Sequence, residues 1–202
     1  MAIKSFTRST IENNIFYRSM LAGNTAFQPA SEDILAEEVL TSSQASVTFS
    51  SLDTLAADYK HLQIRAVARS NRTGATQDAL YMTFNSDTGS SYARHYIRGD
   101  GSIVSSGATT STTSIQPMVL PAGNDTATNA FETAVIDILD FSSSSKNTTA
   151  RILSGKAGDI KSVYLWSGLW VNTNAVTSIT LTASAGQMIT NSRFSLYGIK
   201  GA

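Results

Sequence analysis

Hydrophobic and polar residues alternate along most of the chain that follows residue 34. In the segment HLQIRAVAR (61–69), Leu62 and Ile64 share one face, whereas Gln63 and Arg65 share the other. A hydrophobic period of two is typical of a β-strand that buries one of its faces. The segment therefore predicts a strand that contributes one face to a hydrophobic core.

The same alternation predicts a series of short strands. They cover residues 35–40, 45–50, 61–69, 79–84, 92–98, 115–120, 131–139, 150–155, 162–170, 178–183 and 193–199. Clusters of Gly, Asn, Asp and Ser separate these strands, which predicts turns between them. The predicted fold class is all-β: an antiparallel β-sandwich, jelly-roll-like, with an eight-stranded core and one or two extra edge strands. The uncharged segment SIVSSGATTSTTS (102–114) is predicted to be a long loop or a hairpin tip at the rim.

The first 34 residues differ from the rest and are predicted to form an N-terminal anchoring arm before the sandwich at 35–202. The spacing of their apolar residues predicts a short helix across about residues 9–22. Because three helical turns are marginal in water, the apolar side chains of the arm need a surface on which to pack. That surface is either the protein's own sandwich or another subunit, and we favour another subunit. The predicted docking side chains are Phe6, Ile11, Ile15, Phe16, Tyr17, Met20 and Phe27.

The charge of the chain is small and balanced, which narrows the classes of partner. Of 202 residues, 15% are charged, and 15 Lys and Arg are matched by 15 Asp and Glu. Nucleic-acid binding needs a basic excess to neutralise phosphates, so nucleic acid is not an expected partner. No stretch approaches the roughly 20 apolar residues of a membrane span, so no membrane partner is expected. A neutral chain is weakly protected against self-association, which favours a part that assembles.

No combination of residues predicts a catalytic, cofactor-binding or metal site. The two histidines, His61 and His95, lie inside predicted strands, and the chain contains neither cysteine nor a G-x-S-x-G nucleophile motif. The carboxylates include no pair that stands out for glycoside hydrolysis. The oxygen-rich segment NSDTGSS (85–91) lacks the further acids and the terminal glutamate of an EF-hand loop. It predicts instead a turn with Gly89 at positive φ.

Two aromatic side chains are candidates for contact with a glycan. In SVYLWSGLW (162–170), alternation places Tyr164 and Trp166 on one face, with Val163 and Leu165 on the other. Exposed rings stack well on sugars, but large aromatic side chains in a sandwich more often belong to the core, which is the interpretation that we favour. A group of strand arginines fits an interface and a solvated face equally well. These arginines are Arg65, Arg69, Arg94 and Arg98.

Several segments of the chain occur together in a characteristic order. They are SVTFSSL (46–52), YKHLQIRAVARSNRT (59–73), YMTFNSDTGSSY (81–92), FETAVIDILDF (131–141), SGLWVNTNAVTSITLTASAGQ (167–187) and FSLYGIKG (194–201). In this order they resemble a module of a family of bacteriophage virion proteins, and FYRSMLAGNTAFQP (16–29) is similar to a leader that precedes the module. The resemblance implies a non-enzymatic structural protein of the virion, made in the host cytoplasm and attached through its arm to the tail or neck as a fibre, appendage or adaptor component. A capsid decoration protein and a carbohydrate-binding module for host attachment are the alternatives. The implied partners are other virion proteins, copies of the same chain in a trimer or ring, and a host surface glycan.

Overall fold

The computed structural model describes residues 31–201, apart from the side chain of Ala157. Within this range the chain forms twelve strands and one short 3₁₀ turn at Leu52–Leu55. The strands are β1 (Glu32–Val39), β2 (Ser46–Phe49), β3 (His61–Ala68), β4 (Gln77–Phe84), β5 (Tyr92–Gly99), β6 (Val104–Thr112), β7 (Ile115–Pro121), β8 (Glu132–Leu139), β9 (Thr148–Ala157), β10 (Lys161–Trp170), β11 (Ile179–Ala183) and β12 (Arg193–Ile199). No helix in the described part of the chain is long and apolar enough to span a membrane.

The strands form two antiparallel sheets packed as a sandwich. The large sheet has the order β1-β12-β3-β8-β9-β10-β5-β6, and the small sheet has the order β2-β11-β4-β7. Eight strands (β1–β4, β7, β8, β11 and β12) alternate between the two sheets along the chain, except that β4 and β7 both lie in the small sheet, and each sheet places early strands beside late ones. This is the strand order of a jelly roll, so the predicted fold class is confirmed.

Two hairpins are inserted into this eight-stranded framework and extend only the large sheet. The β5–β6 hairpin lies between β4 and β7 in the chain, and the β9–β10 hairpin lies between β8 and β11. In the sheet, β9 and β10 continue outward from β8, and β5 and β6 follow them to the edge. The extension is therefore four strands, which is more than the one or two that the sequence analysis expects.

Every strand predicted from alternation is present, but the prediction for residues 102–114 is wrong. Val104–Thr112 is a strand that pairs with β5 from Gly99 opposite Val104 to Tyr92 opposite Thr112. The loop is confined to the tip of the hairpin, where the Asp100 carboxylate accepts hydrogen bonds from the backbone N–H groups of Ser102 and Ile103. The segment is a strand because it pairs with β5, and not because its own residues alternate between apolar and polar.

The hydrophobic core lies between the sheets and follows from the alternation. Ile64 of β3 and Ile136 of β8 are cross-strand neighbours in the large sheet, and Met82 of β4 and Leu181 of β11 are neighbours in the small sheet. All four side chains are fully buried. Burying one face of each sheet against the other gives the sandwich its main stabilisation.

Most of the predicted N-terminal arm lies outside the described residues. Strand β1 begins at Glu32, so the last three residues of the predicted arm belong to the sheet. The predicted helix at 9–22 lies outside the described residues. So do all the predicted docking side chains, which are Phe6, Ile11, Ile15, Phe16, Tyr17, Met20 and Phe27.

Candidate functional site

The outer surface of the large sheet carries a row of exposed apolar side chains that crosses four strands. Val135, Leu153, Leu165 and Ile97 are direct cross-strand neighbours on β8, β9, β10 and β5. Their exposed fractions are 38%, 56%, 50% and 55%, respectively. An antiparallel sheet with one solvated face ordinarily has polar residues at such positions. The row therefore indicates a surface that is adapted to be covered.

A second row adjoins the first on the side of the β5–β6 turn. Val67, Val163 and Val104 lie in this row, with Thr133 between Val67 and Gly155. Gly155 and Gly99 flank Val163 and contribute no side chain. Val163 and Val104 are 58% and 78% exposed. The two rows together form what we call the outer apolar face. Its side chains are Val67, Ile97, Val104, Val135, Leu153, Val163 and Leu165.

Polar side chains border the outer apolar face on its other side. Gln63 Nε2 donates a hydrogen bond of 2.8 Å to Asp137 Oδ1, and Arg151 Nη2 donates one of 2.9 Å to Asp137 Oδ2. Arg65 forms an ion pair with Glu32. Because these charges already have partners, covering the face leaves none of them isolated. An apolar centre with a hydrogen-bonded polar rim is the usual anatomy of a protein interface.

The sequence analysis did not single out the outer apolar face, although a signal for it exists. Ile152 and Leu153 are consecutive apolar residues of one strand, and so are Leu165 and Trp166. Consecutive apolar residues in a strand point to opposite faces, so one of each pair must lie outside the core. The core position favoured for Trp166 already implies that Leu165 is an outer member. The packing of the sheets shows that Leu153 is the outer member of its pair too.

Tyr164 and Trp166, the candidates for glycan contact, lie on the inner side of β10. They are 7% and 4% exposed and belong to the hydrophobic core. Their rings stack with centroids 5.2 Å apart, and the Tyr96 ring lies 4.8 Å from that of Trp166. The structure thus gives these rings the core position favoured above. It leaves little ring surface on which a sugar could stack.

A buried ionisable pair lies inside the extended sheet, on β8 and β9. Glu132 is fully buried, and its Oε2 accepts a hydrogen bond of 3.2 Å from Val119 N–H, whereas Oε1 has no hydrogen-bond partner. Lys156 is 6% exposed, and its Nζ also has no hydrogen-bond partner. Burial raises the pKa of Glu132 to about 7 and lowers that of Lys156. The carboxyl of Glu132 therefore changes its charge near neutral pH.

The turn NSDTGSS (85–91) is held by hydrogen bonds to one carboxylate. Asp87 accepts bonds from Gly89 N–H at 2.8 Å, from Trp170 Nε1 at 2.7 Å and from the Ser91 hydroxyl. The bond from Ser91, with those from Trp170 and Gly89, lowers the pKa of Asp87. The residues at positive φ are Asn85 and Ser86, so the expectation for Gly89 is wrong. Among the described residues, no group of three or more His, Asp or Glu could hold a metal ion.

The histidines lie apart from each other on the large sheet. His61 Nδ1 accepts a hydrogen bond of 2.9 Å from the backbone N–H of Asp140, while His95 is exposed on β5. No serine and carboxylate are hydrogen-bonded to either ring within residues 31–201. His61 thus has a structural contact at the end of β8.

Arg69 fits neither alternative that the sequence analysis weighs, because it is 5% exposed. Its guanidinium donates hydrogen bonds to four backbone carbonyls of one loop: Ala122 at 2.9 Å, Asp125 at 3.1 Å, Ala127 at 2.7 Å and Ala130 at 3.0 Å. A rigid fork with several donors suits this role. The side chain stabilises the loop that leads into β8.

The other strand arginines are closer to the surface. Arg65 is exposed beside the outer apolar face, with its guanidinium 4.4 Å from the centre of the Tyr197 ring. Arg98 forms an ion pair of 3.2 Å with Asp100, and Arg94 is half-buried on the same strand. The four strand arginines therefore do not share one surface. Among them, only Arg65 lies at the rim of the outer apolar face.

Comparisons with known proteins add little to this geometry. No family model and no curated protein matches the chain. A solved structure of a protein of unknown function from Shewanella oneidensis MR-1 aligns with 91% of this chain and 85% of its own chain, at 6% identity and a TM-score of 0.22. A similarity at that level carries no argument about function. The case for function therefore depends on the surface of the sheet itself.

Proposed function

We propose that this chain is a non-enzymatic structural protein of a bacteriophage virion. In this proposal the arm at 1–34 attaches it to the tail or neck as a fibre, appendage or adaptor component, with other virion proteins and copies of the same chain as partners. The observation that supports it most is the outer apolar face, which crosses the sheet extension of the described domain, in a chain whose formal net charge is +0. Such a patch on a folded domain marks an interaction site.

The size of the outer apolar face bears on the kind of assembly. Complete burial of one aliphatic side chain is worth about 1.5–3 kcal/mol, so covering seven half-exposed side chains contributes on the order of 5–10 kcal/mol. Association costs about 4–15 kcal/mol in lost freedom and side-chain ordering. The face alone therefore binds weakly, and it needs a second contact to hold a subunit in place. A virion supplies several contacts at once, and the arm is one of them in this proposal.

Capsid decoration is the second candidate location, because a sandwich with an anchoring arm and a weak apolar face serves equally well on a head. A carbohydrate-binding role has lost its main support, since Tyr164 and Trp166 are 7% and 4% exposed. Host-glycan binding would need another surface of the domain.

Immunogold electron microscopy of intact particles tests the proposal. The antibody is raised against residues 32–201, and the particles are those of the phage that encodes the chain. We expect label on the tail or neck. Label spread over the head would replace that location with capsid decoration, and absence of label from purified particles, with the epitope shown to be accessible, would refute the virion role.

The role of the arm is tested separately by replacing Phe16 and Tyr17 with alanine. If these side chains dock on another subunit, the variant should enter particles poorly while its thermal unfolding midpoint stays within about a degree of the parent value. A fall of many degrees would mean that the two side chains pack on their own sandwich, which is the alternative weighed for the arm.

A further inference from the structure

We propose that strand β6 is an assembly edge, which pairs antiparallel with β6 of a second copy of this chain. The proposal starts from a comparison of the four edge strands of the described sandwich. The edges of the large sheet are β1 and β6, and those of the small sheet are β2 and β7. An exposed edge presents unpaired backbone groups to other chains, and monomeric proteins normally protect it with charge, proline or short length.

Three of the four edges carry such protection. Strand β1 bears the carboxylates of Glu32, Asp33, Glu37 and Glu38, strand β2 has only four residues, and β7 contains Pro117 and Pro121. Strand β6 has nine residues, VSSGATTST, with no charge and no proline. Within residues 31–201, one long edge is therefore open to pairing and the other three are protected.

The hydrogen-bond pattern of the hairpin identifies the free groups of this edge. The turn is closed by a bond of 3.2 Å from Asp100 N–H to Ile103 C=O. Since bonded and non-bonded pairs alternate along an antiparallel ladder, the backbone groups of Val104, Ser106 and Ala108 point away from β5. No described residue provides a partner for them.

A second copy is the occupant that fits this edge. Two β6 strands can use all their free groups at once when Ser106 lies opposite Ser106 of the second copy, which places Val104 opposite Ala108. The facing side chains are small and uncharged, so no like charges meet, and a formal net charge of +0 adds no overall repulsion. A contact that uses the same strand of both copies closes on a twofold axis.

This pairing joins the two large sheets into one, with both outer apolar faces on the same side. The β6 pairing supplies the second contact that a subunit needs, because the outer apolar face alone binds weakly. The inference deepens the proposed assembly role and rests on it only for its biological setting, because the pairing itself is tested on purified protein. If the β6 pairing fails its test, the proposed location in the virion is still decided by immunogold labelling. If immunogold labelling refutes the virion location, the β6 pairing is still decided on purified protein.

Disulfide trapping tests both the partner and the register. The chain has no cysteine, so Ser106→Cys, Val104→Cys and Ala108→Cys each introduce one thiol into the full-length protein. Directly opposed residues in a bonded pair have Cα atoms about 5.5 Å apart, which a disulfide can span. We expect Ser106→Cys to form a covalent dimer on mild oxidation, and the other two to do so only when mixed with each other. Equal cross-linking of all three alone, or no cross-linking in any combination, would overturn the proposal.

A charge at the axis provides the second measurement. Ser106→Lys places two ammonium groups opposite each other, so we expect the dimer dissociation constant from sedimentation equilibrium to rise at least about tenfold. Thr149→Lys is the matched control, because Thr149 is exposed on the same face of the sheet but on the central strand β9. Equal association of the two variants would contradict the pairing. A parent protein that is monomeric at all concentrations, or a trimer, would contradict it too, since a twofold contact uses each β6 once.

Discussion

Replacing Glu132 with glutamine should remove a pH dependence from the stability of the sandwich. Burial raises the pKa of this carboxyl from 4.5 to about 7. Because the folded-state value lies above the unfolded one, the stabilising effect of the bound proton is complete below about pH 4.5 and is lost as the pH rises through about 7. At about 1.4 kcal/mol per pKa unit, the loss amounts to about 3 kcal/mol.

Glutamine is a suitable probe because the site accepts a neutral group of the same shape. Its amide oxygen can take the hydrogen bond that Val119 N–H gives to Glu132 Oε2. The variant should therefore fold like the parent at acid pH. It should be more stable than the parent by about 3 kcal/mol at about pH 8, where the parent must keep a carboxylate in the interior.

The assay is urea unfolding of the parent and the variant at about pH 5, 6, 7 and 8. The difference in the free energy of unfolding between the two proteins should grow with pH and level off above the folded-state pKa. Glu38→Gln is the matched control, since Glu38 is exposed, and its curve should follow that of the parent. If the free energies of unfolding of the parent and Glu132→Gln change in parallel with pH, the Glu132 carboxyl does not keep its proton up to neutral pH, and the account is refuted.

Three further changes follow from individual contacts of the described domain. The double change Leu153→Ser with Leu165→Ser removes about 1 kcal/mol of interface burial per side chain. It should lower incorporation into particles, in competition with the parent, roughly thirtyfold with little change in the melting temperature. A large fall in melting temperature with normal incorporation would contradict this prediction. Arg69→Met leaves its carbonyls unpaired and should cost about 3 kcal/mol or more in urea unfolding, whereas a loss under about 1 kcal/mol would show that water satisfies the loop. Gly168→Ala puts a Cβ 2.7 Å from side-chain carbons of Ile115 on β7 and should lower the free energy of unfolding by about 1–3 kcal/mol, measured by thermal unfolding. Gly155→Ala, whose Cβ meets nothing nearer than 3.7 Å, should cost less. Equal losses would mean that the core around Gly168 rearranges to accept the methyl group.

The alternation of the chain was sufficient to predict the sandwich but not its extent. Strand β6 was missed because VSSGATTST has no apolar alternation, although Val104 and three threonines are residues that favour a strand. Its strand conformation comes from pairing with β5 across a tight turn, which is a tertiary effect that local sequence does not express. The early start of β1 has the same origin, since Glu32 is held opposite Ile199 of β12.

The candidate site was less accessible to sequence reasoning than the fold. Alternation separated Leu165 from Trp166, but both faces of the strand are apolar. The inner position of Trp166 was therefore favoured only because large aromatic side chains usually belong to the core. The packing of the sheets shows which face is buried. The small sheet covers the inner side of β9 and β10 through β7, and it leaves Leu153 and Leu165 exposed on the other side. Arg69 shows the same limit: it follows the last residue of β3, and it is buried although alternation places it on the exposed face of that strand.

The central claim is that the outer apolar face becomes covered when the chain assembles in a virion. Hydroxyl-radical footprinting of purified protein and of intact particles, read out by mass spectrometry, tests it most directly. The account predicts that oxidation of Ile97, Leu153 and Leu165 falls severalfold in particles, while Val171, which is 55% exposed just after the end of β10 and does not belong to the outer apolar face, stays equally reactive. Equal oxidation of all four side chains in both samples, or absence of the chain from the particles, would contradict the account.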